Sequence, residues 1–221
     1  MPYGALFLQL KKLKTFGASG SISGMFDDPI AAIAYFCVAA YVFKLWYGDF
    51  RAAQKPKNAF PGAEGAPLAA VLVAVAGALF VLFAYTLAES AAGVSPEQSA
   101  FSPWALLSII PAAFVEELVF RGYLVVSNRG RAALVASVLG FSALFAAAHP
   151  FFWDWSEDGG FSFAFTLKAS LDTFFIFLNS LWFYTVRFFP LNPRRSLVPC
   201  FAAHLAYNLG VYAVKMAQGF A

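Results

Sequence analysis

Three charged side chains interrupt an apolar run in the stretch FVEELVFRGYL, residues 114–124: Glu116, Glu117 and Arg121. On an α-helix Glu117 and Arg121 stand four residues apart. They are neighbours on one face, with the acid ahead of the base, which is the favourable order. Glu116 points about 100° away from Glu117 by the helical repeat, so it shares that arginine less easily. The spacing therefore divides the two acids, one neutralised by an internal ion pair and one left free. A free carboxylate among apolar residues is a candidate general base. A structural ion pair with a spare acid facing a loop is the plainer reading of the same residues.

The chain has two histidines, and both fall in apolar stretches. His149 ends FAAAH, with Phe145 one turn before it. His204 opens HLAYN, with Asn208 one turn after it on the same face. Histidine, asparagine and carboxylate groups each cost free energy to bury unpaired. Gathered together they form one polar cluster, and an ionisable cluster inside an apolar bundle marks a functional site. Lys168 and Asp172, also four apart, read as a structural ion pair, and Asn179 as an interhelical hydrogen bond. The 27 phenylalanines read as lipid-facing or packing residues.

The elements that must position these groups are membrane helices. The 221 residues are 61% hydrophobic and 12% charged, with a mean hydropathy of +0.68. A soluble domain is nearer half apolar and a quarter charged. A hydrocarbon core about 30 Å thick takes roughly 20 apolar residues of helix. Six stretches approach that: 30–47, 67–88, 103–126, 132–152, 161–186 and 196–217. The fold class expected is all-α, a polytopic bundle of about six transmembrane helices with a polar site inside it. Runs without alternation do not suit a barrel. Pro29, Pro67, Pro103 and Pro199 stand at or near helix starts. Residues 48–66, rich in Gly and Pro, read as a loop.

Three units follow: a tail over 1–29, two helices and their loops over 30–102, and a core over 103–221. The tail holds Lys11 to Lys14 with Leu6, Phe7, Leu10 and Leu13, and reads as a short interfacial helix. Its pattern does not match a cleavable signal. Arg51, Lys55 and Lys57, then Arg129 and Arg131, then Arg187, Arg194 and Arg195 occupy alternate loops. The other two loops hold Glu89, Glu97, Asp154, Glu157 and Asp158 and no Lys or Arg. Basic loops face the cytoplasm, which puts both termini outside, although the lysines of the tail argue the other way. Trp46, Trp104, Trp153 and Trp155 fall near span ends, as interfacial anchors do. Cys37 and Cys200 read as small buried hydrophobes. The net charge of +3 is sorted by loop and not massed in a patch, which argues against a nucleic-acid partner.

EELVFR (116–121), FAAAH (145–149) and HLAYN (204–208) resemble, in order and on separate predicted helices, the EExxxR, FxxxH and HxxxN/D motifs of the CAAX prenyl protease and bacteriocin-processing (Abi) family. These are glutamate-dependent intramembrane proteases. The resemblance covers roughly 103–217. It implies a helical core with a hydrated cavity, in which Glu116 is the base that activates water and His149 assists. His204 and Asn208 would form the oxyanion hole, with Glu117, Arg121 and Phe145 in support. The spacing agrees, since His204 and Asn208 share a face and could donate to one oxyanion. The chain departs from the family over Thr173 to Phe188, where family members carry small residues and glycines and this chain has Phe177, Asn179 and Ser180.

The activity so implied is an intramembrane endopeptidase with no cofactor and no metal. It would cleave a membrane-anchored or lipidated protein near its C-terminus or anchor, with the lipid bilayer as the other partner. A multi-pass protein of a prokaryotic cell membrane is expected. Two rival readings use the same residues. Two histidines and two glutamates could bind zinc, although there is no HExxH and Arg121 places a cation nearby. Alternatively the chain is a non-enzymatic scaffold or immunity protein.

Overall fold

The computed structural model describes residues 29–100, 105–156 and 160–220. The expectations for the tail, Pro103, Trp104, Glu157 and Asp158, and for the side chain of Trp155, lie outside the described residues. Among the described residues six α-helices follow one another: α1 (Pro29–Arg51), α2 (Leu68–Ala92), α3 (Ala105–Glu117), α4 (Arg131–Ala148), α5 (Leu167–Phe188) and α6 (Val198–Gln218). The protein is a helical bundle, as the composition requires. Among the described residues α1, α2 and α4 are long and apolar enough to cross a membrane. Helices α5 and α6, 22 and 21 residues long, have the length but carry the polar stripes from which the site is built.

The packing of the bundle turns on small residues in α2. Ala70, Ala74 and Ala78 recur every four residues and are fully buried. Gly77 lies beneath the indole of Trp182 on α5, so close that a Cβ there would sit 2.1 Å from the ring. That approach lets Trp182 Nε1 donate to the Ala74 carbonyl at 2.9 Å. The glycine absent from α5 is therefore present on its partner. The core runs through Phe114, Leu118, Phe183, Leu197 and Ala203, and Trp46 belongs to it. Trp46 is 2% exposed and donates towards the Pro61 carbonyl, so it is a core residue and not an interfacial anchor. Cys200 is buried, but Cys37 is exposed on α1 among side chains that face outward.

Two elements differ from the sequence reading. Residues Trp153–Ser156 (β1) and Gly160–Phe163 (β2) pair antiparallel, Trp153 opposite Phe163, so the fifth helix starts at Leu167 and not at 161. Thr166 caps it by accepting from the Ala169 amide. Two four-residue strands alternating aromatic with polar or small groups are too short for periodicity to separate from helix. The third helix, expected to reach 126, changes after Glu117 to a π-helical segment, Leu118–Tyr123, and ends there. The linker after α1 is held firmly in place. Lys55 Nζ donates to the carbonyls of Asp49, Phe50 and Ala63, and the Gly62 carbonyl accepts from Leu197 at 3.0 Å.

Candidate active site

The π-helical segment begins on the residue after the paired glutamates. One wide turn of this kind re-aims side chains locally and recurs at functional sites. Here it carries Arg121 into the bundle, where Nη1 lies 3.1 Å from Glu117 Oε1 with both side chains fully buried. The guanidinium is held from the other side by α5, with Nη2 donating to Ser180 Oγ at 2.6 Å. Ser180 Oγ in turn donates to Ser142 Oγ on α4 at 3.0 Å. Aromatic faces enclose the cation, with Phe145 4.5 Å, Tyr184 4.9 Å and Phe183 5.1 Å from the guanidinium carbon. A buried cation gains from such ring faces once it is desolvated.

Helix α6 supplies the next link. His204 Nδ1 lies 2.9 Å from the same Glu117 oxygen that meets Arg121. A carboxylate paired with a guanidinium is an acceptor, so the ring donates its Nδ1–H. The ring is stacked on Phe183, with centroids 5.0 Å apart and planes at 24°. This leaves Nε2 facing Glu116 Oε2 at 3.8 Å, beyond direct hydrogen-bond range. Glu116 differs from Glu117 in one decisive respect: its side chain is 31% exposed, against 0%. One acid is sealed and neutralised, and the other opens to the surroundings beside a histidine.

His149 enters from α4, at its C-cap and not within the helix, with extended backbone at ψ 128°. Its Nδ1 lies 2.8 Å from the Phe145 carbonyl, which can only accept, so Nδ1 carries the proton and Nε2 keeps a lone pair. The Phe145 ring lies 4.8 Å from the His149 ring and 6.3 Å from the His204 ring, and so joins the two histidines. Glu116, Glu117, Arg121, Phe145, His149 and His204 thus form one contiguous group drawn from α3, α4 and α6. Asn208 stands one turn beyond His204 on α6, half-buried, and among the described residues no hydrogen bond ties it to that group. Among the described residues, no set of three His, Cys, Asp or Glu side chains is arranged to hold a metal ion.

A model of the type II CAAX prenyl endopeptidase Rce1-like family matches residues 98–210, about half of the chain. The chain belongs to that family. No curated protein and no solved structure matches it. The matched span contains all of the residues just described, and it begins just before α3. The family is one of membrane proteases that act on prenylated proteins in a lipid environment, and the chain is an integral membrane protein of that kind.

Sequence reasoning missed Ser142, Tyr184 and Phe183. Ser142 is one of two serines in the apolar helix α4, with Ser137, and nothing in the sequence set it apart. Phe183 is one phenylalanine of 27 and carried none. Asn179 was expected to make an interhelical hydrogen bond, but its Oδ1 is buried without a hydrogen-bond partner. The ion pair read for Lys168 and Asp172 forms at 2.5 Å and extends to Glu89 on α2 at 2.9 Å.

Proposed function

We propose that the chain is a glutamate-dependent intramembrane endopeptidase. Water bound between Glu116 and the free Nε2 of His149 loses a proton to Glu116 as the oxygen attacks a peptide carbonyl. The developing oxyanion is held by His204 and Asn208. With Nδ1–H committed to Glu117, His204 serves through Nε2, and as a donor there it carries a second proton, flanked by Glu116 and Glu117. Glu116 then returns its proton to the leaving amine, the usual base-then-acid sequence. Arg121, held by Ser180, neutralises Glu117, and Glu117 fixes the imidazole, so both act as positioning residues. The substrate is a prenylated protein cleaved near its C-terminus, and the protein is a multi-pass component of a prokaryotic cell membrane.

One observation carries this reading: the unequal environment of two adjacent acids, Glu117 fully buried on Arg121 and His204, and Glu116 partly open beside His204. The test uses purified protein in liposomes with a farnesylated peptide ending in a CAAX sequence, and product release followed by mass spectrometry. A C-terminal fragment is expected, with Glu116→Ala inactive and turnover unchanged by a zinc chelator. Asn208→Ala is expected to retain residual activity, about 100- to 1,000-fold down, the usual effect of losing one oxyanion donor. Turnover abolished by the chelator and restored by zinc overturns the glutamate mechanism. Cleavage by Glu116→Ala at the wild-type rate does the same.

A further inference from the structure

Asn179 is one of the buried polar groups that the proposed mechanism does not use, as are Ser108 and Arg187. It is 2% exposed in the middle of α5, and its Oδ1 has no hydrogen-bond partner. An unsatisfied buried acceptor forfeits its hydration without compensation, so it calls for a physical explanation.

Its position is fixed by the register of α5 against α6. Phe183 stacks on His204. One turn further along α5, Arg187 is within electrostatic reach of Cys200, which lies one turn before His204 on α6 and contacts the Phe183 carbonyl through Sγ at 3.4 Å. At the other end, Asp172 on α5 is within electrostatic reach of Lys215 on α6. Around the Phe183–His204 stack each step along one helix is matched by a step back along the other, so the pair runs antiparallel, and the reach of Asp172 to Lys215 keeps the same order. Asn179 lies one turn before Phe183 on the same face, and Asn208 lies one turn after His204. The register sets them in the same layer, directly beyond the Phe183–His204 stack. A primary amide has two N–H donors, and an oxyanion needs one of them.

We propose that Asn179 is a positioning residue for Asn208, its Oδ1 accepting one amide hydrogen of Asn208 so that the other is aimed at the scissile carbonyl. This rests on the oxyanion role assigned to Asn208 above. A rotation of the Asn208 side chain completes the contact and removes the orphan acceptor.

The experiment is a double-mutant cycle on the farnesylated CAAX peptide in liposomes, with kcat and KM measured separately. Asn179→Leu keeps the volume and removes the acceptor. A fall in kcat of about tenfold is expected, smaller than the loss of the donor itself, with KM within about twofold. In the Asn208→Ala background the same substitution is expected to cost nothing further, because the group it positions is gone. Asn179→Asp, which retains an oxygen at the same place, is expected to recover most of the activity, and it also carries the test if the leucine variant fails to fold. An equal loss in both backgrounds, an unchanged kcat for Asn179→Leu, or an aspartate variant as impaired as the leucine one overturns the proposal. Glu116→Gln separates the two levels. If it turns over normally the glutamate reading fails. If it is inactive while the cycle is multiplicative, only the role of Asn179 fails.

Discussion

Two charged clusters lie about 16 Å apart along α5, by the helical rise between Asp172 and Phe183, and they are finished differently. At the end near Leu167, Lys168 meets Glu89 at 2.9 Å, Asp172 at 2.5 Å and the Tyr85 hydroxyl at 2.9 Å. Tyr85 also bonds Glu89 and Asp172, and Gln98 Nε2 reaches both oxygens of Glu89. Lys215 ties the end of α6 to Ser99. Among the described residues none of these groups has a buried atom without a partner. The cluster around Glu117 has the same ingredients, two acids and a cation, yet Glu117 Oε2 and Arg121 Nε are left without hydrogen-bond partners and Glu116 stands partly open. The first cluster is saturated and joins α2, α5 and α6 into a clasp. The second keeps buried hydrogen-bonding capacity unused and leaves one acid partly open. A satisfied network rigidifies, whereas a partly satisfied one is tolerated where its groups serve another purpose.

Substitutions that remove one cation from each cluster probe the difference. Arg121→Met is expected to have the largest effect: it takes the buried guanidinium partner from Glu117, costing about 3–5 kcal/mol of stability, and it also removes activity by loosening the hold on the His204 ring. Thermal unfolding in detergent and peptide cleavage read the two losses separately. Lys168→Met is expected to lower the unfolding midpoint through the same physics, since Glu89 and Asp172 then lose the cation that bridges them. Activity per folded molecule should stay within about threefold. Activity lost in proportion to stability would merge the two clusters into one. Gln98→Ala is the mildest, expected to cost about 1.5–3 kcal/mol as a hydrogen bond to a charged group, with kcat unchanged.

The parts of this arrangement that were legible in the sequence are those set by spacing along one helix. Glu117 and Arg121 pair because they are four apart, and Lys168 and Asp172 for the same reason. The three motifs also marked the family. Contacts across the bundle were not legible. The bond from His204 to Glu117 spans 87 residues, and neither residue carries a sign of the other. Trp46 reads as an anchor by its place near a span end, and becomes a core residue because the 60–63 linker folds over it. Cys37 has the composition of a buried residue, but in an apolar surrounding exposure costs it nothing, so burial could not be inferred from polarity. The π-helical turn that carries Arg121 has no signature in residue type.

The most direct measurement sets the isosteric variants Glu116→Gln and Glu117→Gln side by side, each followed by thermal unfolding and by kcat on the farnesylated peptide. The expected result is a division of labour. Glu116→Gln should unfold at the wild-type temperature and turn over about 1,000-fold more slowly or worse, a barrier increase of about 4 kcal/mol. Glu117→Gln should unfold markedly earlier, because Arg121 loses its counter-charge. Wild-type turnover by Glu116→Gln, or equal stability losses for the two variants, contradicts the assignment of one acid to charge balance and the other to catalysis.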